Sequence, residues 1–370
     1  MSREKVAVAL SGGVDSSVAC ALLKEQGYEV EAFTLRLLPP LIDSLLPAQY
    51  EACCRAEAVA RAREVAAQLG VPWHLVPAQE VFEKSVLRPF FSGLAAGTTP
   101  NPCVACNEAV KFGVLMERAR EIGAERVATG HYARIEACDG RPALLRALDQ
   151  TRDQSYFLCA LPRALLPRLL FPLGQMKKVE VRRLAAERGL ATAARPESQD
   201  ICFLPPTKRE TITEAYLGAA AKPGAIRLAG SGQVIGEHRG VAYYTVGQRR
   251  GLRVSAGEPL YVVAIDAHSN EVWMGPENLL LSRSMLVSEV NWLIEPPQEP
   301  LEAEVRIRYR ARAAEATVSP DGASARVDFA ESQRAITPGQ AAVFYRGDLV
   351  LGGGTIVRSL SEPEERVRDS

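Results

Sequence analysis

Strand-like and helix-like stretches alternate along the first half of the chain. Val6 to Leu10 is a continuous apolar run, typical of a strand buried on both faces. The pattern predicts further strands near Glu29 to Leu35, Val71 to Val76 and Arg126 to Thr129, and helices over Asp15 to Gln26, Arg55 to Leu69, Glu108 to Ile122 and Lys178 to Arg188. This alternation predicts an α/β fold in which helices cover both faces of a doubly wound parallel sheet.

The pattern changes from about Pro205 onward, where Gly and Pro separate short β-like runs. We therefore expect a first domain over residues 1–205, a small central β domain over 206–280, a C-terminal β-barrel over 281–360 and a charged tail over 361–370. Two stretches without clear periodicity, near Pro39 to Glu51 and Pro89 to Asn107, are predicted to be long loops.

Composition and charge narrow the class of protein. The 370 residues contain 44 Lys plus Arg and 44 Asp plus Glu, so any nucleic-acid contact must come from local patches rather than from overall charge. No stretch has the length and apolarity of a signal peptide or a membrane span, which favours a cytoplasmic protein. Structural disulfides are rare in that compartment, so the eight cysteines are expected to be core residues, metal ligands or catalysts.

The first predicted strand runs directly into Ser11-Gly12-Gly13-Val14-Asp15-Ser16, which opens a helix. A strand, a glycine-rich turn and a helix N-terminus together present backbone N–H groups to an anion. The alternative is a tight turn capped by Asp15 and Ser16. The segment lacks the Gly-Lys-Ser/Thr of a Walker A loop. It resembles the pyrophosphatase loop of enzymes that split ATP into AMP and pyrophosphate.

Three cysteines attract attention because of their surroundings. Cys103 and Cys106 lie in Thr99-Pro-Asn-Pro-Cys-Val-Ala-Cys-Asn107 just before a predicted helix, and Cys202 lies in Glu197-Ser-Gln-Asp-Ile-Cys-Phe203. A helix N-terminus favours the thiolate form of a cysteine, so Cys106 is a candidate nucleophile. Three interpretations remain open: sulfur transfer between thiols, a metal or iron–sulfur site with three ligands, and buried packing. Packing is favoured for Cys20, Cys138 and Cys159, and Cys53 and Cys54 are expected at a helix start without chemistry.

Five spaced motifs together identify a family. They are the Ser11–Ser16 loop, Thr99–Asn107, Ala128-Thr-Gly-His-Tyr132, Asp153-Gln-Ser-Tyr-Phe157 and Glu197–Phe203. In this order they resemble the bacterial tRNA-specific 2-thiouridylases, and the resemblance extends to Pro338-Gly339-Gln340. The resemblance implies that ATP adenylates the C2 oxygen of the wobble uridine in the tRNAs for Lys, Glu and Gln. Sulfur then replaces that oxygen, which yields 2-thiouridine, AMP and pyrophosphate.

The resemblance also implies roles for particular residues. ATP would be bound by Ala9, Leu10, Ser11, Gly12, Gly13, Val14, Asp15 and Ser16, with Leu35 and Gly130 near the adenosine. Cys202 would carry a persulfide and Cys106 would be the nucleophile that frees its sulfur, through a transient disulfide between the two. The target base would lie against Asn101, Pro102 and Cys103, and tRNA would contact His131, Arg152, Asp153, Gln154, Arg308, Tyr309 and Gln340. Mg²⁺ would accompany ATP, and a cysteine desulfurase or sulfur-relay protein would supply the sulfur.

Cys103 departs from the family pattern, because many members carry Asp there as a candidate general acid. No acid role can therefore be assigned to this position. The substitution creates a Cys-x-x-Cys pair that, with Cys202, resembles cluster-binding thiolases, in which an open iron holds hydrosulfide. Persulfide relay and an iron–sulfur cluster bound by Cys103, Cys106 and Cys202 are thus alternative routes for the sulfur.

A stripe of basic residues in the last domain is a further candidate for contact with nucleic acid. From Val305 to Arg312 apolar residues alternate with four arginines, which predicts a strand with one basic face suited to phosphates. The alternative is an ordinary solvated strand face.

Two other functions fit part of the pattern. One is another pyrophosphatase-loop enzyme, either a thiolase for a different tRNA position or a synthetase with a small acceptor, and a synthetase would not need Cys106 and Cys202. The other is an RNA-binding module with a vestigial loop, which would bind tRNA without releasing AMP.

Overall fold

The computed structural model describes residues 3–47, 50, 55–195, 201–218, 222–252 and 259–360. The motif residues Glu197 to Asp200, the helix start expected at Cys53 and Cys54, and the tail at 361–370 lie outside the described residues. The chain divides into two compact units. The first contains residues 1–86, 103–209 and 348–350, and the second contains 87–102, 210–347 and 351–370.

Nine α-helices are found in the described part of the chain. They are α1 Val14–Glu25, α2 Pro40–Leu45, α3 Ala56–Leu69, α4 Gln79–Phe82, α5 Arg88–Ala95, α6 Pro102–Ala105, α7 Leu115–Glu121, α8 Lys178–Glu187 and α9 Arg209–Leu217. Glu83–Leu87 and Cys106–Val114 are π-helical segments. No helix among the described residues is long and apolar enough to cross a membrane.

The first unit contains the predicted parallel sheet. Its strands are β1 Lys5–Ala9, β2 Glu29–Arg36, β3 Trp73–Pro77, β4 Arg126–Ala128 and β7 Leu169–Leu170, and β5 Ala133–Cys138 pairs with β6 Arg141–Arg146 in a hairpin. The sheet order is β3-β2-β1-β4-β7, and every pairing in it is parallel. The α/β prediction is therefore confirmed.

Helices pack on this sheet through their small and aliphatic side chains. Val6 and Val8 of β1 are completely buried against Cys20 and Leu23 of α1 and against Val65 of α3. One face of α3, formed by Ala58, Ala62, Val65 and Ala66, is buried, and Gly70 ends the helix in a left-handed conformation. A helix buries such a stripe because it removes apolar surface from water.

The second unit is mainly β. A four-stranded sheet has the order β10-β11-β8-β9 and consists of β8 Gly224–Leu228, β9 Val234–His238, β10 Tyr261–Asp266 and β11 Glu271–Gly275. Six strands pair in the order β12-β15-β14-β13-β16-β17, and β12 and β17 also pair with each other, which closes a barrel. Its strands are β12 Leu281–Trp292, β13 Leu301–Arg306, β14 Ala314–Asp321, β15 Ser324–Arg334, β16 Ala341–Arg346 and β17 Leu349–Ser359.

The basic stripe is shorter than its sequence alternation predicted. Strand β13 ends at Arg306, and the chain then turns until β14 begins at Ala314. Val305 pairs with Ala314, so the intervening residues form the connection between two antiparallel strands. The prediction of a strand continuing to Arg312 was wrong because period-two alternation cannot show where a strand loses its hydrogen-bonding partner.

The two predicted long loops were also largely wrong. Pro40 begins α2 and Pro89 lies in the first turn of α5, where the fixed φ of proline suits a helix. Ile42 is buried in α2, and Phe90, Phe91 and Leu94 are buried in α5. Prolines that punctuate a loop and prolines that start a helix look alike in sequence, and the buried apolar spacing distinguishes them.

Candidate active site

The glycine-rich loop lies where the strand order of the parallel sheet reverses. Strand β1 pairs with β2 on one side and β4 on the other, so the chain winds outward to β3 before it returns beside β1. In open α/β sheets, ligands bind at such a reversal, outside the carboxyl ends of the strands. Ser11 follows the end of β1 and Gly130 follows the end of β4. Leu35, near the end of β2, is half-buried.

The N-terminus of α1 has no side-chain cap. Gly13 is its N-cap residue in extended conformation, and no side chain accepts a hydrogen bond from the first helical turn. Ser16 Oγ instead accepts from Ser11 N at 3.1 Å and contacts Ser11 Oγ at 3.1 Å, while Ser17 Oγ donates to Gly13 O at 2.9 Å. Asp15 and Ser16 therefore do not cap the first turn of α1, and Ser16 Oγ makes its hydrogen bonds within the loop instead. Uncapped N–H groups at a twelve-residue helix form an anion-binding end.

Two glycines let this loop pack tightly. Gly12 has φ +72°, and a Cβ atom there would collide with the Ala58 carbonyl of α3. At Gly130 a Cβ atom would lie 2.7 Å from Asp15 C and from Ser16 N. Backbone from the β4 end thus presses directly on the start of α1, which fixes the loop between α3 and the residue that follows β4.

A buried lysine holds the loop aspartate. Lys178 Nζ, at the start of α8, lies 2.6 Å from Asp15 Oδ1 and 2.8 Å from Oδ2, and Tyr132 OH donates to Oδ1 at 2.8 Å. The side chains of Lys178 and Asp15 are 10% and 31% exposed. Lys178 was not among the predicted site residues, although a lysine at the start of a helix, where positive charge is disfavoured, was a usable signal.

The three candidate thiols belong to the first unit. Cys103 lies in α6, Cys106 begins the π-helical segment that follows and is buried, and Cys202 is half-buried. None of the three forms a disulfide. Within the described ranges, no group of three or more His, Cys, Asp or Glu side chains could hold a metal ion.

Two of the other thiols are chemically inert core residues. Burial raises the pKa of Cys20 to about 12 and that of Cys159 to about 12, because the thiolate loses its hydration. Both side chains are buried, as packing residues should be. Cys138 lies in β5 and is half-buried.

The residues predicted to lie against the target base begin in the short connection between α5 and α6. Asn101 is half-buried in the coil between α5 and α6, and Pro102 is the buried first residue of α6. Both belong to the second unit, whereas Cys103 belongs to the first. In the second unit, Thr98 Oγ1 donates to Gly93 O at 3.0 Å, and Pro100 packs on Gly93 where no Cβ would fit.

The tRNA candidates of the first unit surround the end of β4. His131 is buried between Phe112 and Phe171, and its Nδ1 lies 2.7 Å from Thr129 Oγ1. Burial, with a smaller contribution from the charge of Lys111, holds the pKa of His131 well below its usual value, so the imidazole is neutral.

The neighbouring Arg152–Gln154 turn is also tightly hydrogen-bonded. Asp153 is 2% exposed, and its carboxylate accepts from the amides of Ala147 and Ser155 at 3.2 and 3.1 Å. Gln154 Oε1 accepts from Tyr132 N at 3.0 Å, and Arg152 is half-buried. Asp153 and Gln154 therefore fix the turn that carries Arg152.

The tRNA candidates of the second unit lie in connections of the barrel. Arg308 and Tyr309 are half-buried in the turn after β13, and Arg308 Nη2 donates to Ala335 O at 2.8 Å and to Thr337 Oγ1. Gln340 Nε2 donates to Thr99 O at 2.8 Å. Arg308 and Gln340 thus make internal hydrogen bonds, whereas Arg310 and Arg312 in the same turn are exposed.

Three family models match the chain in succession. The model described as the tRNA methyl transferase HUP domain matches residues 4–206, the tRNA methyl transferase PRC-barrel domain matches 211–276, and the aminomethyltransferase β-barrel domain matches 282–356.

Relatives match over almost their whole length. The tRNA-specific 2-thiouridylase of Heliobacterium modesticaldum is 48% identical over 97% of this chain and 94% of its own. Those of Carboxydothermus hydrogenoformans and Thermus thermophilus are each 45% identical, over 97% and 96% of this chain and 99% and 96% of their own. By identity and coverage, the chain belongs to the tRNA-specific 2-thiouridylase family.

Proposed function

We propose that this protein is an ATP-dependent tRNA 2-thiouridylase that acts on the wobble uridine of the tRNAs for Lys, Glu and Gln. The main support is the N-terminus of α1, which has no side-chain cap. It follows the Ser-Gly-Gly loop and lies where the strand order of the parallel sheet reverses. It occurs in a chain 48% identical to a tRNA-specific 2-thiouridylase over 97% of its length.

The loop is suited to the ATP phosphates. The free N–H groups that open α1 and the hydroxyls of Ser11 and Ser16 would bind the phosphate oxygens, and Gly12 and Gly13 leave room for their approach. Ala9 to Ser16 would line the phosphates, with Leu35 and Gly130 beside the adenosine. Mg²⁺ would enter with the nucleotide, since it is held mostly by phosphate oxygens and water.

The chemistry then proceeds in two displacements. The C2 oxygen of uridine attacks the α-phosphorus of ATP and pyrophosphate leaves. The oxygen, by itself a poor leaving group, can then depart as part of AMP. The terminal sulfur of a Cys202 persulfide attacks C2, and AMP leaves with the oxygen. Cys106 thiolate then attacks the Cys202 sulfur, which breaks the persulfide S–S bond, leaves sulfur on C2 and forms a Cys106–Cys202 disulfide. A thiol reductant restores both thiols, and a sulfur-donor protein reloads Cys202.

Persulfide relay is preferred over a cluster because of the thiol arrangement. Cys106 and Cys202 form no disulfide in the structure, and the described side chains form no group that could hold a metal ion. We derive no step through iron. Cys103 supplies no general acid, and its proposed role, with Asn101 and Pro102, is to surround the target base.

Proposed tRNA contacts are found in each of the two units. Arg152, on a turn fixed by Asp153 and Gln154 beside His131, would contact the tRNA backbone. Arg308, Tyr309 and Gln340 belong to the barrel connections proposed to lie against tRNA. We place the enzyme in the cytoplasm, where its tRNA substrate is.

The test follows two products in one reaction. Purified chain, ATP, unmodified tRNA and a persulfide-loaded donor should yield pyrophosphate and 2-thiouridine. Cys106→Ser and Cys202→Ser should retain pyrophosphate release and lose 2-thiouridine, and Cys138→Ser, a half-buried thiol outside the proposed chemistry, should retain both.

Three results would contradict the proposal. Full thiolation by Cys202→Ser would remove the relay, and tRNA binding without pyrophosphate release would leave an RNA-binding module. Because two family descriptions contain the words methyl transferase, a parallel reaction with S-adenosylmethionine is included, and a methylated product there would replace thiolation.

A further inference from the structure

One loop of the barrel hydrogen-bonds both the backbone N–H and the backbone carbonyl of Thr99. Thr99 N donates to Pro338 O at 2.8 Å, and Thr99 O accepts from Gln340 Nε2 at 2.8 Å. The Thr99 hydroxyl lies 3.2 Å from that of Thr245. We call Thr337–Gln340 the barrel clamp; all of these residues belong to the second unit.

The backbone of the clamp lies very close to the backbone of Thr99 and Pro100. Gly339 has φ +89°, and a Cβ atom there would lie 2.9 Å from both Thr99 C and Thr99 N and 3.0 Å from Pro100 N. These are backbone atoms that cannot rotate away. Position 339 therefore requires glycine both for its conformation and for the space that Thr99 occupies.

The clamp is itself fixed to the barrel. Gly339 N donates to Ile356 O and Ile356 N donates to Gln340 O, both at 2.8 Å, which ties the clamp to β17. Arg308 bonds Thr337 Oγ1 and Ala335 O behind it. A rigid element with satisfied hydrogen bonds can impose its position on a short coil such as residues 96–101.

We propose that Gln340 and Gly339 are positioning residues that hold Thr99, and through it Asn101, in the conformation that receives the target base. This inference rests on the proposed function and assigns the Gln340 side chain to Thr99 instead of to tRNA. The barrel thereby contributes to the chemical step, because small displacements of a base-facing segment strongly reduce the rate of reaction.

The test compares Gln340→Met with Gln333→Met in the full chain. Met keeps the length of the side chain and removes the donor. Gln333 is the matched control, since its Nε2 also donates to a backbone carbonyl, that of Glu331, in the same barrel. Gly339→Ala is the second variant, and thermal unfolding verifies that each variant folds.

Hydrogen exchange tests the contact between the clamp and Thr99, and thiolation kinetics test its effect on the proposed reaction. Without tRNA or ATP, hydrogen exchange over residues 98–101 should accelerate about fivefold in Gln340→Met, the effect of losing one hydrogen bond, and should be unchanged in Gln333→Met. In thiolation, kcat should fall about tenfold while KM for tRNA stays within about twofold of wild type.

The possible outcomes are distinct. Unchanged exchange in Gln340→Met overturns the inference whatever the activity. A raised KM for tRNA at unchanged kcat overturns it as well and makes Gln340 a tRNA contact. If exchange accelerates while even the wild-type chain thiolates no tRNA, the clamp is supported and the proposed function fails.

Discussion

Replacing Lys178 by Met removes the ammonium group that holds the loop aspartate. The Nζ–oxygen distances are 2.6 and 2.8 Å, for which the attraction at an effective dielectric constant of 20 is roughly 6 kcal/mol. Desolvation of the buried lysine offsets most of it. Breaking a buried pair costs about 3–5 kcal/mol and an exposed pair about 0–1 kcal/mol. Asp15 is 31% exposed and can regain water, so we expect a loss of about 2 kcal/mol.

The control is the adjacent lysine. Lys177 is exposed, so Lys177→Met should leave the stability within about 0.5 kcal/mol of wild type. Thermal unfolding should show Lys178→Met lower by about 4–8 °C in the transition of the first unit. The kcat/KM for ATP in pyrophosphate release should fall at least about tenfold, since Asp15 belongs to the proposed phosphate loop.

A double-mutant cycle with Asp15→Asn isolates the pair. We expect a coupling energy of about 2 kcal/mol between the two positions. Equal unfolding temperatures for Lys177→Met and Lys178→Met, together with kcat/KM values within about twofold, would refute the claim that this ion pair shapes the loop.

Three further predictions concern the first unit. Gly12→Ala should lower kcat/KM for ATP about 100-fold because its Cβ would displace the loop, whereas Gly27→Ala, with positive φ but open space, should lose only about 1 kcal/mol of stability; equal activities of the two variants would contradict the steric argument. Because burial raises the pKa of Cys20 to about 12 and that of Cys159 to about 12, iodoacetamide at pH 8 should modify both only after denaturation, as mass spectrometry would show. The pKa of buried His131 is lowered, so the unfolded chain takes up the proton first. As pH falls below about 6.5, stability should therefore drop by up to about 1.4 kcal/mol per pH unit. Urea unfolding should show His131→Asn lacking this loss, and a constant gap from wild type at pH 7.5, 6.0 and 5.0 would disprove it.

The hydrophobic pattern correctly predicted the helices and strands whose formation depends mainly on neighbouring residues in the sequence. The strand at Val6 and the helix over Arg55 to Leu69 could be predicted from side-chain periodicity alone. The pattern failed at Arg306, where β13 ends because its partner strand begins only at Ala314. It failed again at Pro40 and Pro89, which begin helices that appeared to be loops.

The sequence by itself determined the α/β class, the glycine-rich turn after the first strand and the family, because side-chain periodicity and glycine, serine and cysteine at fixed spacings carry meaning without knowledge of their spatial neighbours. Only the tertiary structure showed that Lys178 neutralises Asp15 and that Gln340 bonds Thr99, 163 and 241 positions apart in the chain. Such pairs leave no periodic signal. They depend on which strand ends and turns the fold brings together, so the glycine-rich turn between β1 and α1 could be predicted from its own residues and the side chains that hold it in place could not.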